Sequence, residues 1–287
     1  MNPTEPQLIR TVRELQRWAD ETRAEGRRIG LVPTMGALHE GHLSLVRVAH
    51  SRADRIVLSI FVNPTQFGPN EDFQHYPRDI ADDLSKLRSA GVDVVFAPDV
   101  KEMYPEGDAT WVEVERLSDG MCGRHRPGHF RGVATVVARL FNAARPHVAV
   151  FGEKDYQQLV VIRRMARDLL FDIEITAGPT VREPDGLAIS SRNAYLMPEE
   201  RQQARSLNAA LHEVRQLVRS GELDVGRLVA AARCRIEKEP LAEIDYIEVR
   251  DAETLEPLGR LDRRAVMGLA VRVGGTRLID NTTLEAV

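Results

Sequence analysis

His39 and His42 stand three residues apart with Glu40 and Gly41 between them. On the first turn of a helix that spacing sets both imidazoles on one face, and Gly41 leaves the backbone uncovered where a bulky anion could approach. Free N–H groups and the helix dipole at such an N-terminus favour a phosphate. A zinc-protease reading fails on spacing, because H-E-x-x-H needs histidines four apart. A second cation is offered by Lys154 in Gly152-Glu153-Lys154-Asp155, and Ser190-Ser191-Arg192 adds two hydroxyls and a guanidinium, although the same serines also suit a local turn. Gln66 and Gln158 are neutral donors and acceptors, suited to a substrate with hydroxyls and a carboxylate. Cys122, His125 and His129 form C-x2-H-x3-H, but Arg124, Arg126 and Arg131 beside them would repel a cation. Asp82 and Asp83 could meet magnesium, yet next to Leu84 and Leu87 on an expected helix they read as a solvated face.

These residues need elements to hold them. An apolar run at 29–32 breaks at Pro33, passes Gly36 and enters a helical pattern at Leu43, Leu45, Val46, Val48 and Ala49. Val12, Leu15 and Trp18 mark an earlier amphipathic helix ending near Gly26. Residues 55–62 read as a strand buried on both faces, followed by a loop rich in Asn, Pro and Gly. Further on, helices are expected over 79–90, 133–144 and 157–170, strands over 92–96, 147–151 and 172–176, an edge strand over 111–115 and an irregular basic loop over 121–132. Apolar strands alternating with helices five times over predict a Rossmann-like α/β parallel sheet with helices on both faces. The polar segments after the strands at 29, 55 and 147 fall at carboxyl ends, where ligands of such sheets bind, and should converge on one crevice. Beyond about residue 182 the pattern changes to a long helix over 198–220, a second over 225–238, and alternating strands over 244–250 and 266–273. The expected division is a nucleotide-binding catalytic domain over 1–182 and a smaller α+β domain over 183–287 that closes over the active site.

With 287 residues there is room for two domains and a sizeable core. A net charge of −4 and 43% hydrophobic residues describe an ordinary soluble protein and do not suggest nucleic acid as the main partner. The first ten residues lack a cationic start and an apolar stretch, so no signal peptide is expected, and no apolar run approaches the ~20 residues of a membrane span. Two cysteines far apart fit a reducing cytoplasm.

The strand, Gly36 and the two histidines together resemble the H-x-G-H element of the nucleotidylyltransferase superfamily. Along nearly its whole length the chain resembles the pantoate–β-alanine ligase family, carried by P-T-M-G-A-L-H-E-G-H, F-V-N-P-T-Q-F, Y-P-R at 76–78, R-P-G-H-F-R-G-V, F-G-E-K-D-Y-Q-Q and V-R-E-P-D-G-L-A-I-S-S-R-N. The resemblance implies a two-step ligation through a pantoyl adenylate. It also implies an ATP site of Met35, Gly36, Ala37, Leu38, His39, Glu40, Gly41, His42, Gly152, Glu153, Lys154, Asp155, Val181, Ile189, Ser190, Ser191 and Arg192. His42, His39, Lys154 and Arg192 would stabilise charge or donate a proton in catalysis, Gln66 would bind pantoate and β-alanine, and Gln158 pantoate. Magnesium, a cytoplasmic location and a homodimer, with neither nucleic acid nor membrane as partner, are implied as well. Many members carry methionine where this chain has Ile189; a backbone contact would survive that change, so only a modest effect on ATP affinity is expected. Two rivals fit part of the pattern. A transferase coupling two phosphates is permitted by H-x-G-H but not favoured by the neutral glutamines, and a non-catalytic nucleotide sensor need not keep all six blocks.

Overall fold

The computed structural model describes residues 5–69 and 71–286. The chain divides into two compact units, the first made of Met1–Glu115, Arg126–Glu153 and Val161–Pro179, the second of Arg116–His125, Lys154–Val160 and Thr180–Val287.

The first unit is built on six parallel strands, β1 (Gln7–Ile9), β2 (Ile29–Thr34), β3 (Arg55–Ile60), β4 (Val94–Phe96), β5 (Val148–Gly152) and β6 (Glu174–Gly178), in the order β1-β4-β3-β2-β5-β6. Val, Ile and Leu fill β2, β3 and β4 because each is covered on both sides. Helices α1 (Val12–Ala24), α2 (Glu40–His50), α3 (Ile80–Leu87), α4 (Val100–Met103) and α6 (His129–Ala144) belong to this unit. Val32, Ile56, Leu58, Val95, Val148 and Val150 point to one face and meet Leu45, Val46 and Ala49 of α2 and Leu87 of α3. The alternate residues point the other way, where Phe151 of β5 meets Phe141 of α6 edge to face. The chain leaves β2 toward β3 on one side and returns to it through β5 on the other, so the topological switch point lies between β2 and β5.

The second unit holds α5 (Met121–His125), the first turn of α7 (Tyr156–Asp168), α8 (Pro198–Ala204), α9 (Ser206–Arg219), α10 (Val225–Ile236) and an antiparallel sheet β7 (Ala242–Asp251), β8 (Ala265–Val273), β9 (Thr276–Leu284). Leu207, Leu211 and Val214 of α9 and Leu228 and Ala232 of α10 cover Met267, Leu269 and Val271 of β8. The expected fold class is thus found, and no helix among the described residues is long and apolar enough to cross a membrane.

Several local expectations are corrected. β2 runs through Pro33 to Thr34, because the strand end tolerates a residue without an N–H. β1 and β9 add to the expected strands. Three residues are too short to show a period, and T-R-L-I-D-N-T-T-L is too polar to read as a strand. The 111–115 segment is no strand: Val112 N–H donates to Thr135 Oγ1 at 3.0 Å, and its alternation comes from burying Val114 against an exposed Trp111. Within 121–132, α5 and the start of α6 replace the irregular loop, joined at Gly128 with φ +81°. The single helix expected over 198–220 is two, split at Arg205, whose ψ of −20° is that of a tighter turn.

Candidate active site

The segment between β2 and α2 turns at Gly36 (φ +82°) and Ala37 (φ +50°). A non-glycine residue in the left-handed region costs about 1–3 kcal/mol unless neighbours enforce it. Here the enforcement comes from α3. Asp83 Oδ2 accepts from Ala37 N–H at 3.0 Å and Oδ1 from Leu38 N–H at 2.7 Å. Asp83 is only 1% exposed, so its reading as part of a solvated face is corrected. The helical period placed it next to Asp82, and it is Asp82 that is solvated, pairing with Lys86 at 2.6 Å. Burial pushes the Asp83 carboxyl above its usual value, against the two amide donors and Lys86.

His39 is the N-cap of α2 and His42 closes its first turn. The rings stack with centroids 4.0 Å apart, and His39 N–H donates to His42 Nδ1 at 3.3 Å. With Nδ1 accepting, a neutral His42 carries its proton on Nε2. His42 N–H bonds to His39 O at 2.8 Å, while the amides of Glu40 and Gly41 stand in the first turn, where a helix supplies no acceptor. The amides of Ala37 and Leu38 face Asp83, so those two residues offer a nucleotide other atoms. β5, bearing Gly152 and followed by Glu153, pairs with β2 through Gly30↔Val148 and Leu31↔Ala149, so its carboxyl end neighbours that of β2 at the switch point.

Gln66 ends a 3-10 turn, Pro64–Gln66, beyond β3. Its Nε2 donates to Met35 Sδ at 3.3 Å, and its Oε1 accepts from Asn63 Nδ2 at 3.0 Å. The turn is held from several sides, none of them visible in the sequence. Asn63, 1% exposed, also donates to Gly132 O at 3.1 Å and accepts from Tyr104 Oη at 2.8 Å. His129 Nδ1 donates to Gln66 O at 2.8 Å, leaving Nε2 to accept from Arg126 Nη1 at 3.1 Å. Arg126 also pairs with Glu71 through Nε at 2.7 Å. Burial raises the Glu71 carboxyl, but the hydrogen bond and charge of Arg126 outweigh it and hold it below its usual value. Both His129 nitrogens are thus engaged within the turn. No group of three or more His, Cys, Asp or Glu among the described residues could hold a metal ion.

In the second unit, Lys154 and Asp155 lie in a 3-10 turn that leads into α7 and Gln158 lies in the first turn of α7, with Lys154 O accepting from Asn281 Nδ2 at 2.8 Å. The neighbouring glutamines differ. Gln157 is buried and fully engaged with Leu117 O, Gly120 O and Cys122 N–H, whereas Gln158 is half-buried. Val181 and Ile189 face each other in a hairpin, Ile189 N–H to Val181 O at 3.0 Å, which Arg182 ties to Asp280 at 2.6 and 2.9 Å. Ser190 Oγ accepts from Arg192 N–H at 3.3 Å, so this serine shapes the turn that presents Ser191 and Arg192.

A family model described as pantoate-beta-alanine ligase matches residues 7–283. The chain is 55% identical to the pantothenate synthetase of Heliobacterium modesticaldum over 97% of its length and 99% of that protein. It is likewise 55% identical to that of Moorella thermoacetica over 97% and 99%. The crystal structure of pantothenate synthetase from Thermus thermophilus superposes with a TM-score of 0.91 at 48% identity, covering 96% of this chain and 98% of that one. A pantoate-beta-alanine ligase from Francisella tularensis, solved with Beta-gamma ATP and beta-alanine, gives 0.79 at 34% identity over 96% and 97%. Matched from residue 7 to 283 and more than half identical to relatives along nearly their entire length, the chain belongs to the pantoate–β-alanine ligase family.

Proposed function

We propose that this chain condenses (R)-pantoate with β-alanine to pantothenate, consuming ATP and serving coenzyme A biosynthesis. A pantoate carboxylate oxygen attacks the α-phosphorus, the bond to the β-phosphate oxygen breaks, and pyrophosphate leaves. The β-alanine nitrogen then attacks the acyl carbon, an amide forms, AMP departs and the nitrogen loses a proton. No side-chain nucleophile is needed, because the substrate supplies its own. The first step brings two anions together, so the site must place donors where charge grows in the transition state.

The observation that carries this reading is the His39–His42 turn, seated at the switch point of the sheet in a chain of this family. His42 offers its Nε2 proton, and the first-turn amides of α2 add partial charge beside His39. The reading asks Lys154, Ser190, Ser191 and Arg192 of the second unit to reach the same triphosphate, and the smaller domain to close as they do. Gln66 and Gln158 would take the hydroxyls and carboxylate of pantoate, Gln66 also meeting β-alanine. ATP enters as a substrate. We assign magnesium to the phosphates of ATP, the usual way this ion is held. A cytoplasmic homodimer acting on small molecules completes the proposal, the compartment resting on two free cysteines.

The test is pyrophosphate release from Mg-ATP with pantoate, with and without β-alanine, against a panel of other hydroxy acids. A pantoate-specific burst of about one equivalent, becoming steady turnover with β-alanine, is expected of an acyl adenylate that stays bound until the amine attacks it. ATP binding without release for any acid would replace the ligase by a nucleotide sensor.

A further inference from the structure

The sharp turn before α2 has one local support, Gly36 N–H donating to Thr34 Oγ1 at 3.2 Å, while the Ala37 and Leu38 peptides are held from elsewhere. Gly36 and Ala37 both adopt left-handed backbone, and a free chain of that composition would leave it readily. Gly36, Ala37 and Leu38 carry no polar side-chain group of their own with which to hold those peptides. The hold comes from α3, some 45 residues downstream. One carboxylate, that of Asp83, takes Ala37 N–H on one oxygen and Leu38 N–H on the other, which fixes the orientation of the turn as well as its distance. One turn further along α3, Lys86 Nζ donates to Leu38 O at 2.9 Å. Leu38 is therefore gripped at both its N–H and its C=O, and its side chain lies in the core at 2% exposure. The fit leaves no slack, because a Cβ at Gly36 would lie 2.9 Å from Asp83 Oδ2. The next residue after this grip is His39, whose N–H orients the His42 ring.

We propose that Asp83, assisted by Lys86, is a positioning residue for adenylation, holding the Ala37 and Leu38 peptides so that the His39 and His42 rings are presented in register at the start of α2. It touches no substrate and acts through the backbone. The inference rests on the ligase reading, and it also has a consequence independent of that reading. Asparagine has the shape of aspartate but one acceptor oxygen, and its amide group would confront one of the two N–H donors. Asp83→Asn therefore disturbs the turn without opening a cavity.

The experiment uses the full chain of Asp83→Asn, Lys86→Met, His42→Ala and the Asp83→Asn/His42→Ala double variant, each first shown to be folded by urea titration. Single-turnover pyrophosphate release by Asp83→Asn should fall about tenfold or more, with the pantoate KM within about threefold of wild type because Gln66 sits on another turn. Lys86→Met should fall less, in the same direction. In the His42→Ala background the Asp83 change should cost less than about twofold, as residues acting through one another are not additive. The His42 ring nitrogens, followed by NMR in the substrate-free protein, should lose the hydrogen-bonded Nδ1 signature in Asp83→Asn. A folded Asp83→Asn that keeps the wild-type His42 signature overturns the proposal, as do effects of Asp83 and His42 that simply multiply. A wild type that releases no pyrophosphate defeats the ligase reading instead, and the ring signal then decides the positioning role by itself.

Discussion

An imidazole whose Nδ1 already accepts from a backbone amide has one proton to give, and in His42 that proton is on Nε2. His42→Ala is expected to slow adenylation roughly 10²-fold or more, the scale of losing one transition-state donor. Rapid-quench measurement of pyrophosphate formation checks this, and an unchanged rate would remove His42 from the chemistry. At this scale the spacing of the two histidines made their shared first helical turn legible. Asp83 was not legible, since the amides it binds lie about 45 positions upstream and nothing local distinguishes it from Asp82. Burial separates half-buried Gln158 from its neighbour Gln157, which the 117–122 backbone consumes.

Among the elements, α6 and the turn carrying Gln66 are fitted with no room between them. A Cβ at Gly132 would come within 2.4 Å of Thr65 O and 2.8 Å of Gln66 N. Backbone on both sides cannot yield cheaply, so Gly132→Ala is expected to cost about 1–3 kcal/mol in urea unfolding. It should also raise the KM for pantoate more than that for ATP, since the displaced group is the Gln66 turn. Equal KM values would separate that turn from pantoate binding. The long apolar strands and amphipathic helices were readable because period and burial agree in them. β1 and β9 were not, the first for shortness and the second for polarity, and Arg205 divides a pattern that runs on unbroken in the sequence.

For the whole molecule, acid stability follows from the paired carboxylates. The Glu183 carboxyl is held low by its hydrogen bond to Arg201, and Glu71 by Arg126 against the effect of burial. A carboxyl with a depressed folded value contributes stability that is complete above the unfolded value of about 4.3 and lost as pH falls through the folded one. Glu71→Gln should therefore be less stable than wild type at pH 7, and the gap between their urea midpoints should close below about pH 4. A gap that persists undiminished in acid would mean the glutamate acts by packing and not by charge. Asp83 works in the opposite sense, its raised value favouring the native state slightly as the pH drops through it.

Strand order also has a consequence for synthesis on the ribosome. Once residue 96 has emerged, β1, β4, β3 and β2 can assemble as four of the sheet's six strands, but the partner of β2 on its other side, at Val148 and Ala149, has yet to be made. For some fifty residues of translation the nascent protein carries the apolar edge I-G-L-V-P-T exposed to other growing chains. Pro33, which lacks the N–H that an intruding strand would need, stands near the end of that edge and limits what can add to it before β5 arrives.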